Sequence, residues 1–151
     1  MNDYKINKEG LELIKRFEGF RGQKYKRLEG GGYAIGYGHN ILPDENIPDS
    51  ITMEMGEELL KKDIEWAENL VKKCITVPLT ENQFSALVSL AYNLRNFCNC
   101  SLVKKINSGK EVDIVDFTQY TKAYNPTTKR KEFLKGLLVR RIDEYKLFKK
   151  E

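Results

Sequence analysis

The residue best suited to do chemistry in this sequence is Glu18, which closes an apolar segment. Phe17 and Phe20 flank it, and Gly19 follows it directly. A turn-rich, glycine-dense stretch comes next and ends at His39. A carboxyl group beside apolar side chains keeps its proton more readily than one in water, and glycine backbone leaves room for a bulky ligand. The pattern therefore predicts a general acid facing a groove that could hold a chain of sugars.

Other catalytic chemistries find little support in the sequence. His39 is the only histidine, so a Ser-His-Asp triad or a mixed Cys and His zinc site would depend on it. The cysteines are Cys74, Cys98 and Cys100, and the last two are too close for a relaxed disulfide with each other. An odd number of cysteines without a secretion signal favours reduced thiols. We expect no metal and no cofactor.

The composition is that of a soluble globular protein of one domain, with 151 residues, 40% apolar and 32% charged. The net charge of +4 could attract nucleic acid, anionic wall polymers or lipid headgroups, but basic and acidic residues are interspersed, as on an ordinary solvated surface. We expect no nucleic-acid binding and no stable membrane insertion. The first residues lack the apolar core of a signal peptide, so export would need a separate device.

Hydrophobic spacing predicts about six helices and one small β-element. Glycines and tyrosines over residues 22–40 favour short antiparallel strands, with the tightest turn at the glycine triplet that ends at Gly32. Thr80 opens a capping box before a nearly all-apolar helix, which should form the centre of the core. The predicted helices span residues 7–19, 52–74, 80–94, 100–107, 112–122 and 131–149.

The long helix at residues 52–74 is predicted to connect two parts of one domain. The part containing the β-element would span about residues 1–60, and the helical part about residues 75–151. A substrate cleft would lie between them, because pockets are common at such junctions. Trp66, on the long helix, is expected to be a core residue.

Several motifs along the chain form a family pattern. The most specific is Phe-Glu-Gly-x-Arg at residues 17–21 with Tyr25, followed by Ile-Gly-Tyr-Gly-His at residues 35–39. Weaker matches lie at residues 83–93, 101–107 and 136–144. Together these segments resemble the phage-type lysozymes, the muramidases of glycoside hydrolase family twenty-four, over almost the whole chain.

The resemblance implies a two-lobed, mostly helical α+β lysozyme fold. It implies a glycoside hydrolase that cleaves bacterial peptidoglycan at the β-1,4 bond between N-acetylmuramic acid and N-acetylglucosamine, with Glu18 as the catalytic acid. It also implies a structural pair between His39 and Asp63, which would hold the hairpin to the long helix.

Two positions depart from the family pattern. The family carries an aspartate nine residues after its glutamate and a threonine just before Ile-Gly, but this chain has Arg27 and Ala34 there. An arginine cannot act as a base or nucleophile, and an alanine has no hydroxyl group to orient water. Since glycoside hydrolysis normally uses two carboxylates, Glu29 is our candidate for the second, with Asp44 and Glu45 as more remote candidates. The alternative, which we favour because acids in loops are usually exposed, is that Glu29 is a solvated turn residue.

Several further residues are predicted to contact the substrate, each with a structural alternative. Arg27 could bind a substrate carboxylate, pair with Glu18 or Glu29, or be an exposed hairpin cation. Tyr33 could stack on a sugar or pack across strands. Asn93 should line the cleft floor or cap the core helix. Arg130, or its neighbour Lys131, occupies the position of a basic residue that supports the acid in relatives. Ala34 replaces the water-orienting threonine.

Three functions remain open at this point. The first is a peptidoglycan hydrolase of the endolysin type, made in the host cytoplasm as a monomer and released to the cell wall through a separate pore-forming protein. The second is lytic transglycosylase chemistry, which needs only one acid because a hydroxyl of the sugar attacks in place of water. The third is a catalytically impaired module that binds glycan or a protein.

Overall fold

A computed structural model describes residues 4–28 and 30–151 of the chain. The chain divides into two compact units. The smaller unit is Ile14–Trp66, and the larger one combines the described residues up to Leu13 with Ala67–Glu151.

The smaller unit contains a three-stranded antiparallel sheet in the order β1-β2-β3. Its strands are β1 (Arg21–Lys26), β2 (Tyr33–Gly36) and β3 (His39–Asn40). The predicted turn is confirmed, because the glycines at positions 30 to 32 all have positive φ, between 68° and 78°. This left-handed backbone is readily adopted by glycine and by few other residues, so the triplet folds the chain back between β1 and β2.

Two helices begin in one unit and end in the other. Helix α1 is Lys8–Glu18 and helix α2 is Met53–Cys74, close to the bounds that periodicity predicts. On α2, the side chains of Leu60, Ile64, Ala67 and Val71 are fully or almost fully buried, at the three- and four-residue spacing of one helical face. Trp66 lies off this face and is 52% exposed, so the prediction that it belongs to the core is wrong.

The larger unit is built around helix α3 (Glu81–Asn93), as predicted. Its capping box is formed by Thr80 and Gln83, and every residue from Phe84 to Ala91 is buried. Helix α6 packs against it and supplies the buried side chains of Leu147 and Phe148. The remaining elements of this unit are a short 3-10 turn at Phe97–Asn99, α4 (Ser101–Asn107), α5 (Ile114–Thr118) and α6 (Lys135–Lys149).

A second hairpin, absent from the prediction, precedes the last helix. Strand β4 (Lys122–Asn125) pairs antiparallel with β5 (Arg130–Phe133). The helix predicted to begin at residue 131 therefore begins at Lys135, and the one predicted over 112–122 is confined to Ile114–Thr118. Backbone pairing across a turn that contains Pro126 outweighs the helical spacing of the apolar residues here.

The expectation that all three thiols are reduced is also wrong. Cys74, at the end of α2, forms a disulfide with Cys98 in the 3-10 turn, with 5.4 Å between the two Cα atoms. Cys100 is the unpaired cysteine and is buried. The fold class agrees with the prediction, since the described chain is α+β and mostly helical, with a small antiparallel sheet near its N-terminus.

Candidate active site

Glu18 is the last residue of α1, and the local backbone explains why the helix ends there. Gly19 has φ of +73°, and its N–H donates to the carbonyl oxygen of Lys15 at 2.9 Å. This is the left-handed cap with which glycine commonly terminates helices. The chain then turns into β1, and the Glu18 side chain is left half-buried.

The turn between β2 and β3 faces the carboxyl group of Glu18. Gly38 in this turn has φ of +87°, and a Cβ atom built on it would lie 3.6 Å from Oε1 of Glu18. The glycine therefore serves two purposes: it adopts the left-handed backbone, and it leaves the space beside the carboxylate free of a side chain. The motif that sequence reasoning singled out brings an acid and open backbone together within one unit.

Aromatic packing fixes this turn to α2. The rings of Phe20 and Tyr37 lie 5.2 Å apart between centroids. A Cβ atom on Gly56 would come within 2.8 Å of the Phe20 ring, so only glycine allows this approach to the helix. Lys15, one turn before Glu18 on α1, donates to Glu57 of α2 at 2.6 Å. These contacts hold the end of α1, the β2–β3 turn and the start of α2 in one arrangement.

His39 is held by a carboxylate at each ring nitrogen. Nδ1 lies 2.8 Å from Asp63 on α2, and Nε2 lies 2.9 Å from Glu45 in the loop after β3. A neutral imidazole has one N–H and could donate to only one of them, so the geometry favours the imidazolium, which donates to both. Sequence reasoning proposed Asp63 as the partner and considered Glu45 only as a remote catalytic carboxylate.

The pKa values of these three groups follow from burial and pairing. Burial lowers the pKa of His39, but hydrogen bonds and charges from Asp63 and Glu45 outweigh it and raise the pKa above 6.5. Burial raises the pKa of Asp63 despite the opposing effect of His39. Burial also acts to raise the pKa of Glu45, but the Leu42 N–H and the imidazolium outweigh it, so the net shift is downward. The carboxylate of Glu45 is thus already engaged in an ion pair.

The substituted family positions lie on or beside the first hairpin. Ala34 is buried in β2 with 3% exposure, so its methyl group offers little surface to a substrate. Arg27 is half-buried, and its Nη1 atom lies 3.5 Å from the carbonyl oxygen of Gly31. Tyr33 is 42% exposed, with the Lys24 ammonium 4.8 Å from its ring centroid. Glu29 lies outside the described residues.

In the larger unit, Asn93 is tied to a buried charge network. Arg141 donates to the Asn93 side-chain oxygen and, through Nε, to the carbonyl oxygen of Tyr120 at 3.0 Å. Its Nη1 atom donates to Glu144 at 2.7 Å, and Glu144 also accepts from Ser89.

Asn93 was singled out from the sequence, but the buried charges around it were not. Glu144 is fully buried, and Arg140 donates to it as well, at 3.2 Å. Arg140, Arg141 and Glu144 lie in the segment 136–144, which the sequence analysis used only as a match to the family pattern. Their three- and four-residue spacing on a helix nevertheless indicated that they could pair. Arg130 lies on β5, exposed and paired in register with Asn125.

The family model for phage lysozymes matches residues 15–144 of this chain. The chain belongs to the phage lysozyme family. It is 38% identical over 146 residues to an endolysin of Acyrthosiphon pisum secondary endosymbiont phage 1, which covers 95% of this chain and 97% of that protein. Family membership makes the chain a glycoside hydrolase of the lysozyme class, and lysozymes degrade peptidoglycan.

Solved structures show the same fold. The muramidase domain of SpmX from Asticaccaulis excentricus matches with a TM-score of 0.83 and 30% identity, over 98% of this chain and 99% of that one. An endolysin from Escherichia coli O157:H7 phage FAHEc1 matches with a TM-score of 0.85 and 30% identity, over 97% and 94% respectively. Among residues 4–28 and 30–151, no helix has the length and apolarity needed to span a bilayer.

Proposed function

We propose that this lysozyme-family enzyme cleaves the β-1,4 bond between N-acetylmuramic acid and N-acetylglucosamine, with Glu18 as the general acid. The observation that carries the proposal is the placement of the Glu18 carboxyl group, half-buried and 3.6 Å from the space that a side chain at Gly38 would fill. An acid needs access to the glycosidic oxygen, and open backbone beside it provides room for the sugar.

The proton transfer would follow the usual course of glycoside cleavage. Glu18 donates its proton to the glycosidic oxygen as the bond from that oxygen to the anomeric carbon breaks. Positive charge develops on the sugar ring, and water adds to the anomeric carbon to give a new reducing end. A second carboxylate normally assists the water, and Glu29 is our candidate for that role.

Lytic transglycosylase chemistry is the second candidate, and the residues at two family positions favour it. Arg27 and Ala34 supply neither a carboxylate nor a hydroxyl group, and the Ala34 side chain is buried. In this reaction the 6-hydroxyl of the muramyl sugar attacks its own anomeric carbon, and that hydroxyl proton passes to Glu18 after the acid has protonated the leaving oxygen. The product is an anhydro sugar, no water is consumed, and Glu18 alone handles the protons.

Mass spectrometry of the fragments released from purified sacculi tests the bond and separates the two reactions. Hydrolysis predicts muramyl reducing ends, and transglycosylation predicts anhydro-muramyl ends that are 18 mass units, one water, lighter. N-acetylglucosamine at the reducing end would contradict the proposed bond. Binding to sacculi without any fragment would favour an impaired module that retains only glycan binding.

The role of Glu29 has its own test. Replacing Glu29 by glutamine should reduce the rate of wall clearing by at least about 100-fold if its carboxylate assists water. Glu65→Gln is the matched control, because it makes the same exchange at an exposed position on α2. Full activity of Glu29→Gln, with muramyl reducing ends among the products, would remove Glu29 from the mechanism.

The biological setting is also a proposal. The enzyme would be made in the cytoplasm of the infected host and reach peptidoglycan through a separate pore-forming protein, acting as a monomer. The endolysin relatives support this setting, since their names denote enzymes of phage lysis. Fractionation of infected cells with and without a pore-forming partner would test it, and wall access without any partner would contradict it.

A further inference from the structure

The larger unit contains a pocket of about 330 Å³ beneath the second hairpin. We call it the hairpin pocket, and the residues that matter here are Asn93, Lys122, Lys131 and Arg141, which line it from α3, β4, β5 and α6. Three of these four are cationic, and none of the described residues lining the pocket is acidic. The pocket therefore presents positive charge without a built-in counter-charge at its surface.

Three side chains that line the pocket, Asn93, Lys122 and Lys131, keep donors that no described residue uses. Each nitrogen of the Arg141 guanidinium already donates to Tyr120, Glu144 or Asn93, and Glu144 pairs with its charge. The bond from Arg141 to the Asn93 oxygen turns the amide so that the Asn93 nitrogen remains as a donor, with no acceptor among the described residues. A ligand that fits this pocket must supply acceptors.

Lys122 and Lys131 supply the free charge. Both are exposed, and no carboxylate of the described chain lies within ion-pair distance of either ammonium group. The strand register pairs Lys122 with Phe133 and Lys131 with Tyr124, so two lysines alternate with two aromatic side chains on one hairpin face. Tyr124 and Phe133 are 61% and 55% exposed. Cations beside exposed rings suit a sugar polymer that carries carboxylates.

We propose that the hairpin pocket binds a carboxylate of the peptidoglycan substrate through Lys122 and Lys131, with the Asn93 amide as a further donor. This inference rests on the proposed function, since it gives the peptidoglycan enzyme a specificity site. Two carboxylate sources share this chemistry: the lactyl group of a muramyl sugar without peptide, and the acidic groups of the stem peptide.

Binding to insoluble sacculi tests the proposal separately from catalysis. The full-length Glu18→Gln protein is sedimented with sacculi free of phosphate polymers, alone or with Lys122→Gln and Lys131→Gln together. The matched control carries Lys104→Gln and Lys146→Gln, which remove the same charge from exposed helical positions. The hairpin variant should need roughly tenfold more sacculi for half-saturation, and the control should bind like its parent.

Two treated substrates identify the group that is bound. On sacculi whose carboxylates have been converted to amides, the difference between the hairpin variant and the control should disappear. On sacculi stripped of peptides by an amidase, a persisting difference assigns the lactyl carboxylate, and a lost difference assigns the stem peptide.

Two results would overturn the carboxylate site, and a third would overturn the proposed mechanism. Equal binding of the hairpin variant and the control to untreated sacculi would overturn the carboxylate site. A difference that persists on amidated sacculi would overturn it too. Clearing of the wall by the Glu18→Gln protein in the same tubes would instead overturn the proposed mechanism and leave the binding result intact.

Discussion

At the scale of single residues, the placement of Glu18 was predictable because its signals are local. A helix end, a following glycine and a glycine turn each act over a few residues, and all can be read from the sequence. The partner of His39 at Glu45 was not predictable in the same way. Glu45 lies in an irregular loop, where no periodicity indicates which side chain reaches back to the hairpin.

The doubly paired His39 leads to a prediction about stability and pH. Because the pKa of His39 is raised in the folded state, its contribution to the free energy of unfolding is full below pH 6.5 and is lost as pH rises through the folded-state value. His39→Gln should cost about 2 kcal/mol at pH 6, where both hydrogen bonds to carboxylates are made. The cost should fall steadily between pH 6.5 and pH 9.

Urea unfolding of the parent and His39→Gln at several pH values measures this difference. Glu45, whose pKa is lowered in the folded state, stays ionised throughout this range. A cost that is constant or grows from pH 6 to pH 9 would show that His39 is neutral in the folded protein, contrary to its contacts with Asp63 and Glu45.

At the scale of elements, long periodic helices were predicted well and the second hairpin was missed. Helices α2 and α3 are specified by apolar spacing and by a capping box, which are local patterns. Strands β4 (Lys-Ala-Tyr-Asn) and β5 (Arg-Lys-Glu-Phe) are four residues each, too short for the alternation of a half-buried strand to be evident. Their pairing depends on a contact across the turn, which no single segment reveals.

The disulfide between Cys74 and Cys98 should stabilise the larger unit. It closes a segment with a sequence separation of 24 residues, for which restriction of the unfolded chain predicts about 3 kcal/mol. Reduction should therefore lower the melting temperature by roughly 6 to 12 °C. The thiols would form this bond in an oxidising compartment and not in a reducing cytosol.

Thermal melts with and without a reductant test the pairing. Cys74→Ser with Cys98→Ser should melt at the reduced temperature under both conditions, because no bond remains to be broken. Cys100→Ser should keep the full response to reductant, since Cys100 is the unpaired cysteine. Loss of that response in Cys100→Ser would mean that the bond uses a different pair.

The buried charges on α6 give a further prediction at this scale. Glu144 is enclosed and accepts hydrogen bonds from Arg140, Arg141 and Ser89. Glu144→Gln leaves two buried guanidiniums without their anion, which should cost about 3 to 5 kcal/mol of stability. Glu65→Gln, at an exposed position on α2, should change stability by less than about 0.5 kcal/mol. Equal midpoints in urea for these two variants would contradict a structural role for the network.

At the scale of the whole molecule, the family and the fold class could be predicted from the sequence, and the consequences of two substitutions could not. The family match over residues 15–144 assigns the enzyme class. It does not say which groups take over the functions of the family's aspartate and threonine. Arg27 and Ala34 stand at those positions and supply neither a carboxylate nor a hydroxyl group. The chemistry that remains depends on Glu18, and so does the central claim.

The most direct measurement is therefore the rate at which purified sacculi are cleared by the parent, Glu18→Gln and Glu65→Gln. Glutamine keeps the size of the side chain but has no acidic proton to transfer, so Glu18→Gln should be at least about 100-fold slower than the parent. Glu65→Gln should match the parent, because it removes the same charge from an exposed part of α2. Clearing by Glu18→Gln at the parent's rate would contradict the account.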